Sequence, residues 1–212
     1  MDPVGSWPHA ASLDALLRGS YKRGMALEMF QVEAEGLIPA TASPSQSLPT
    51  ALARVRAFAT KHKFPVTERW LQFELTGYPG APLHISLQVP ETDPIVARIA
   101  GYRVIEGDFP VVFMTTAGPQ PTQIPIYKFV SHSIVVLEQL LDEDTSLYRS
   151  KVPLSALPPS DITQSIIDQA HARGEDFLIA DFGRHRFLGI LGSLRREVVA
   201  LLSDCLAGIR PA

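Results

Sequence analysis

The sequence has little cysteine and little charge. Cys205 is the one cysteine among 212 residues, which excludes an internal disulfide framework and a multi-cysteine zinc site. Charged residues make up 19% of the chain and the formal net charge is −3, so no overall field steers it onto nucleic acid. Chemistry that depends on thiols is therefore not expected, and the lone cysteine favours a reducing compartment.

The sequence contains no long apolar run, and its first residues predict no secretory signal. Charges such as Glu138 interrupt the longest hydrophobic stretches, and none reaches the roughly 18–20 residues that span a bilayer. The first residues, MDPVGSWPHA, contain an early acid and no apolar segment of the secretory type. These features predict a cytoplasmic protein with no membrane partner.

Hydrophobic residues and proline are abundant. The chain is 46% hydrophobic, which is too apolar for a disordered protein, and it is long enough to bury a core. It contains 18 prolines, which predict short elements with many breaks. The prolines cluster at 39–49, 79–94, 119–125 and 153–159, between periodic segments, and so separate the elements of a compact body.

The composition predicts a division of the chain near residue 47. Residues 1–47 are interpreted as an N-terminal extension that ends in a proline- and serine-bearing linker from Pro39 to Ser47. Within it, Ser12 is a plausible cap for a short helix, and 25–33 fits a strand or a helix. Residues 48–212 are predicted to form the globular domain.

The periodicity of residues 48–212 predicts an α+β fold. A helix over 48–62, with Ser47 as its cap and Pro49 in its first turn, is followed by a second helix that Thr67 caps and Gly77 ends. Together they form a helical hairpin.

Further elements are expected along the rest of the chain. They are strands over 82–90, 98–104, 111–116 and 177–182, a loop over 117–122, and helices from Tyr127 or Ser131 to Leu141, over 161–172 behind Ser160, and over 186–206. The expected architecture is a helical hairpin and C-terminal amphipathic helices packed on a small, mostly antiparallel sheet.

Motifs of known catalytic chemistry are missing or isolated. Residues 181–183 spell the kinase Asp-Phe-Gly triplet, but the other kinase motifs are absent. The sequence contains no Walker loop, no G-x-S-x-G elbow and no H-E-x-x-H pair, and its six histidines are scattered. We therefore assign no catalytic residue, no metal ligand and no cofactor, and the sequence favours a protein that is not an enzyme.

Basic residues fall into two local groups. They are Arg54, Arg56, Lys61, Lys63 and Arg69 in the first group, and Arg184, Arg186, Arg195 and Arg196 in the second. Each group fits either phosphate contacts to nucleic acid or nucleotide, or a solvated helix face. The acidic total favours solvated faces, so nucleic acid is a possible but not a favoured partner.

The segment 70–79 combines a tryptophan, a carboxylate and a Gly-Tyr-Pro end. Trp70 fits an aromatic core anchor, Gly77 a left-handed helix stop, and Tyr78 a ring folded back over the helix end. Further along the chain, Arg103 follows Tyr102. Arg103 and Glu74 fit either a buried ion pair under an aromatic lid or a pair of ligand contacts.

These residues resemble the AbiTii domain family of bacterial abortive-infection systems. The family shows W-x-x-x-E-L-x-G-Y after a Leu/Ala helix, and then a Tyr-Arg pair. The residues that match are Leu52, Val55 and Ala59, then Trp70, Glu74, Leu75, Gly77 and Tyr78, and then Tyr102 and Arg103. Segments 130–138 and 190–202 resemble the family's later helices, so the resemblance covers about 48–206. Gly101 stands where the family has a nearby proline, and 79–101 is a longer connection than in the family.

The resemblance implies anti-phage defence by a non-catalytic sensor or adaptor that binds a protein, either another defence component or a phage protein. Candidate binding residues are Glu74, Tyr78, Tyr102, Arg103, Arg195 and Arg196. Two alternatives remain open. One is a toxin-like effector that binds or cleaves nucleic acid or nucleotide, using Glu74, Tyr78 or His185 for proton transfer. The other is a regulatory or immunity partner with a strand edge at Ile85, Leu87 and 111–113.

Overall fold

The computed structural model describes residues 24–78, 94–115, 118–143, 145–157 and 160–208. Within these ranges the chain forms seven α-helices, one 3-10 turn (Leu154–Ala156) and a four-stranded antiparallel sheet, so the predicted α+β class is confirmed. The helices are α1 (Gly24–Ala42), α2 (Leu48–Lys61), α3 (Pro65–Thr76), α4 (Pro94–Arg103), α5 (Ile134–Asp142), α6 (Asp161–Ala172) and α7 (Arg184–Ala207). The strands are β1 (Val104–Thr115), β2 (Gly118–Phe129), β3 (Leu147–Pro153) and β4 (Phe177–Gly183).

The described residues divide into two compact units. One contains the chain up to Leu71 together with the part from Leu194 onward, and the other runs from Gln72 to Ser193. The boundaries fall inside α3 and α7. None of the described helices combines the length and the apolar character that a bilayer crossing requires.

In the first unit, α1 packs against α2 through aromatic side chains. The ring of Phe30 lies 5.0 Å from that of Phe58 and 4.7 Å from that of His62, and Glu33 accepts a 2.5 Å hydrogen bond from Lys61. Residues 25–33, which fitted a strand or a helix, are thus helical from Gly24 onward. The helix continues through Pro39, inside the predicted linker.

The predicted helical hairpin is present, but its two helices do not begin as predicted. Helix α2 begins with a proline in its first turn, as predicted, but the Ser47 side chain makes no capping hydrogen bond. Helix α3 begins at Pro65, so the prediction that Thr67 caps it is wrong. Proline at the first helical position has its φ angle already set for the helix. Gly77 has φ +90°, which confirms the left-handed stop.

The sheet has the order β2-β1-β4-β3. Strands β1 and β2 form a hairpin from Val104↔Phe129 to Thr115↔Gly118, and β4 pairs with β1 at Asp108↔Asp181. The predicted loop over 117–122 lies largely within β2. The prediction failed because prolines 119, 121 and 125 are tolerated in a strand at the edge of a sheet.

Two other predictions in this region differ from the structure. Residues 94–103 form helix α4, so the predicted strand over 98–104 is wrong apart from Val104. Strand β3 was not predicted at all. The predicted strand over 111–116 falls mostly within β1, and the one over 82–90 lies outside the described residues.

Helices α5 and α6 start at serine caps. Ser160 Oγ accepts from Thr163 N at 3.1 Å, as predicted for α6. Ser133 Oγ accepts from Val136 N at 3.3 Å, so α5 begins at Ile134, later than expected. The predicted strand over 177–182 and the last helix are confirmed as β4 and α7.

Candidate functional site

The second unit brings together four of the candidate residues, which we name the signature cluster: Glu74, Tyr78, Tyr102 and Arg103. Glu74 lies in the last turn of α3, and Tyr78 follows two residues after that helix ends. Tyr102 and Arg103 are the last two residues of α4. Residues almost thirty positions apart in the chain thus meet at two helix ends.

The Glu74 carboxylate is the centre of the cluster. Its Oε1 accepts hydrogen bonds from the hydroxyls of Tyr78 and, at 2.5 Å, of Tyr102. Its Oε2 accepts from Arg103 Nη2. The other guanidinium nitrogen, Nη1, donates to the carbonyls of Val130 at 3.2 Å and His132 at 2.8 Å. The cluster therefore ties the ends of α3 and α4 to the segment that precedes α5.

Aromatic rings close the cluster. The Tyr78 ring stacks on Phe73 with centroids 5.5 Å apart and meets Phe129 edge-on at 5.7 Å. The guanidinium carbon of Arg103 lies 5.3 Å from the Tyr78 ring centroid, within cation–π range. Of the two alternatives for Arg103 and Glu74, the structure shows the buried ion pair under an aromatic lid.

Gly77 permits the close approach of α3 to the segment before α5. A Cβ at this position would lie 3.0 Å from the Ser131 carbonyl oxygen. That same oxygen accepts a 2.9 Å hydrogen bond from the Tyr78 backbone N–H. A residue with a side chain at position 77 would be strained by its positive φ angle as well as by this contact.

The cluster is enclosed. Glu74 and Arg103 have no exposed surface, and Tyr102 and Tyr78 are 7% and 8% exposed. Burial opposes the charge of Arg103, but the adjacent Glu74 carboxylate outweighs this and raises the pKa of the guanidinium. Burial and the negative charge of Glu74 together raise the pKa of Tyr78 far above its usual value. The stable state is therefore an ion pair with a protonated Tyr78.

This arrangement favours a structural role over a catalytic one. Both oxygens of Glu74 are occupied by groups of the chain itself, and a general acid or base must reach the proton of its substrate. A buried carboxylate and guanidinium must also be paired if both are to stay charged. The motif residues therefore hold the fold around two helix ends.

The raised pKa of Tyr78 predicts a loss of stability at alkaline pH. The folded state keeps the phenol protonated, whereas the unfolded chain ionises near pH 10, about the unperturbed tyrosine value. The contribution of Tyr78 is complete below that pH and falls above it by up to about 1.4 kcal/mol per pH unit. Between about pH 10 and 11, we expect the free energy of unfolding of Tyr78→Phe to decrease less steeply with pH than that of the wild type.

Denaturant titrations at several alkaline pH values measure this slope. Tyr127→Phe is the matched control, because that ring is 37% exposed and lies outside the cluster. Equal slopes for wild type and Tyr78→Phe would contradict the assigned state of Tyr78.

Arg195 is engaged by backbone in the first unit. Its Nη1 donates to the carbonyls of Thr41 and Ser43, each at 2.9 Å, and Nη2 donates to Gln46 at 2.7 Å. These carbonyls lie at the end of α1 and in the turn that follows it, where helical carbonyls lack partners. Arg195 therefore serves as a cap for α1, and its next neighbour Arg196 is exposed.

Arg195→Lys is expected to lower the free energy of unfolding by about 1–3 kcal/mol, because a compact ammonium cannot reproduce the fork of a guanidinium. Denaturant unfolding measures the loss. Arg196→Lys, at an exposed position on the same helix, should stay within about 0.5 kcal/mol of wild type. An Arg195→Lys protein as stable as wild type would show that the three contacts contribute nothing.

Several other basic residues bind groups of the chain. Lys61 pairs with Glu33, Arg186 pairs with Glu106 at 3.2 Å, and Arg184 donates to the Leu141 carbonyl. Arg54, Lys63, Arg69 and His185 are exposed. The second predicted basic group is divided between the two units, with Arg184 and Arg186 in one and Arg195 and Arg196 in the other.

The remaining sequence candidates add no site. Ile85 and Leu87 of the proposed strand edge lie outside the described residues, and 111–113 lie in β1. Cys205 is 4% exposed, and burial raises the pKa of its thiol to about 11. Across the described part of the chain, no three His, Cys, Asp or Glu side chains group as metal ligands would.

Sequence reasoning missed one polar pair, Lys128 on β2 and Ser150 on β3. The available signal is the strand alternation Ile124, Ile126, Lys128, which puts a lysine on the apolar face of β2. Ser150 carries no comparable signal, because β3 itself was not predicted.

Comparisons of the chain with protein-family models, with curated proteins and with solved structures found no match.

Proposed function

We propose that this chain is a bacterial anti-phage defence protein of the AbiTii type, a sensor or adaptor without catalysis of its own. It acts by binding a protein, either another component of a defence system or a phage protein. A cytoplasmic location belongs to the same proposal, and the single buried thiol supports it, since such a protein needs no oxidising compartment.

The observation that carries the proposal is the convergence of the motif residues. The W-x-x-x-E-L-x-G-Y segment and the Tyr-Arg pair resemble separate parts of the AbiTii pattern. In the folded chain, Glu74 and Tyr78 of the first part bind Tyr102 and Arg103 of the second. A motif whose parts bind each other is typical of a shared fold, which supports the resemblance.

The enclosure of the cluster supports a non-catalytic role. Two of the three sequence candidates for proton transfer, Glu74 and Tyr78, are buried within the second unit, whereas the third, His185, is exposed. Arg195 and Lys61, candidates for phosphate binding, have partners within the chain. Arg54 and Lys63 are exposed and fit a solvated face.

Phage challenge of bacteria that express the chain tests the proposal. We expect at least a tenfold drop in plaque number relative to cells with an empty vector. We also expect purification from infected cells to recover a protein whose removal from the phage or the host abolishes the protection. Equal plaque numbers in both cell lines would overturn the defence function.

The effector alternative is tested with the purified chain and with charge reversal at exposed positions. Arg54→Glu and Lys63→Glu should leave protection unchanged if that face is only solvated. The purified chain should not turn over nucleic acid or nucleotide. If it does, and if a point substitution abolishes this activity while the protein stays folded, the chain is an effector and not an adaptor.

A further inference from the structure

The carboxylates of the sheet and Lys128 lie on opposite faces. The register pairs Asp108 with Asp181 and Asp181 with Arg149, so these side chains share one face, together with Glu106 two residues before Asp108. Lys128 pairs with Ile105, which is an odd number of residues from Asp108 along β1. Ser150 pairs with Ala180, which is next to Asp181 along β4. Because side chains alternate along a strand, Lys128 and Ser150 share the other face.

Two carboxylates of the acidic face pair with cations. Asp181 pairs with Arg149 at 3.0 Å, and Glu106 pairs with Arg186 at 3.2 Å. Lys128 makes no ion pair with any residue that the structure describes. Burial lowers the pKa of Lys128, and burial together with the nearby Lys128 charge lowers the pKa of His132. Among the described residues, this half-buried cation therefore has no anionic partner.

The contacts of Lys128 show that this face is concave. Its Nζ donates to Ser150 Oγ, although β2 and β3 are the two outer strands of the sheet. The outer strands of a flat four-stranded sheet would be about 14 Å apart, beyond the reach of a lysine. The sheet therefore curls around this face.

A glycine and a phenylalanine build the floor of the concave face. The Phe182 ring lies so close to Gly107 that a Cβ there would be 2.5 Å from the ring, and Phe182 is fully buried. The Lys128 Nζ lies 6.0 Å from the centroid of the same ring. The ammonium and the Ser150 hydroxyl therefore occupy fixed positions above an apolar floor.

We propose that Lys128 and Ser150 form a binding site for the phosphoryl group of a small molecule on the concave face of the sheet. Lysine acts as a point charge toward phosphate, and a serine hydroxyl donates to a phosphate oxygen. An anion that accepts hydrogen bonds from both groups would supply the counter-charge that a half-buried cation requires. A phosphoryl group carries about −1.5 to −2 charge at pH 7 and three acceptor oxygens, more than the single charge and two oxygens of a carboxylate, so phosphate suits Lys128 and Ser150 better.

Nuclear magnetic resonance of the full chain with labelled lysine side chains tests the site. The probes are inorganic phosphate, adenosine monophosphate and acetate, with chloride keeping the ionic strength constant. Inorganic phosphate and adenosine monophosphate should each shift the Lys128 side-chain resonance in a saturable way. Acetate should bind at least tenfold more weakly.

Three variants separate this site from general charge effects. Lys128→Met should weaken phosphate binding at least tenfold, and Ser150→Ala several-fold. Lys151→Met is the matched control, because Lys151 is exposed on the opposite face, 4.0 Å from the Phe177 ring centroid, and it should bind as wild type does. If Lys128→Met fails to fold, the wild-type titration and Ser150→Ala decide the question.

Three results would overturn the site. They are a Lys128 resonance that phosphate does not shift, acetate binding as tight as phosphate binding, and an equal loss of affinity in Lys151→Met. Binding of inorganic phosphate without binding of adenosine monophosphate would restrict the site to free phosphate and contradict its assignment to a phosphorylated small molecule.

Discussion

Glu74→Gln is expected to lower the free energy of unfolding by about 3–5 kcal/mol, the usual cost of breaking one partner of a buried ion pair. Glutamine has nearly the same shape, and its oxygen still accepts from Tyr78 and Tyr102. Its amide group, however, presents donors to the donors of Arg103. The guanidinium, fully buried, then keeps its charge without a counter-ion.

Denaturant unfolding followed by circular dichroism measures this loss. Asp181→Asn is the matched control, because Arg149, its partner at 3.0 Å, has a side chain that is 80% exposed. Exposed pairs contribute no more than about 1 kcal/mol, so the control should lie close to wild type. A Glu74→Gln protein that loses no more than the control would show that the pair does not hold the fold.

Trp70→Ala is expected to lower the free energy of unfolding by about 3–5 kcal/mol as well. The indole is 1% exposed on α3, and its removal leaves a large cavity that the close-packed surroundings fill only in part. Since domains are stable by about 5–15 kcal/mol, this single change removes a large share of the stability and unfolds a marginal protein.

Thermal and denaturant unfolding of soluble protein test the Trp70 prediction. Val32→Ala is the control for loss of apolar side-chain volume, because Val32 is 70% exposed on α1, and it should change the stability by less than about 0.5 kcal/mol. Trp70→Phe should fall between the two. A Trp70→Ala variant as stable as Val32→Ala would place the indole outside the core.

The sequence predicted best those features that depend on local chemistry. Ser160 caps α6 because a serine hydroxyl satisfies a free backbone donor at a helix start. Gly77 ends α3 because glycine adopts a positive φ angle without steric cost. The sequence allowed two interpretations of Glu74 and Arg103, a buried ion pair or a pair of ligand contacts. The ion pair was one of them because charged residues near an aromatic core need partners.

The features that the sequence could not predict depend on tertiary position. Whether Pro121 breaks a strand depends on whether that strand lies at the edge of the sheet, and nothing local to β2 shows that it does. Helix α4 ends at Arg103, and its apolar residues also fit the alternation of a strand. Arg195 binds carbonyls of residues about 150 positions earlier in the chain, a separation that no sequence pattern spans.

The coupling free energy between Glu74 and Arg103 tests most directly whether the motif residues hold the fold. A double-mutant cycle of Glu74→Gln, Arg103→Met and both together measures it by denaturant unfolding. In the double variant no charge remains unpaired, and the glutamine oxygen still accepts from the tyrosines. The predicted coupling is at least about 2 kcal/mol, with the double variant more stable than the sum of the single losses implies. Additive losses, with a coupling below about 0.5 kcal/mol, would contradict this role.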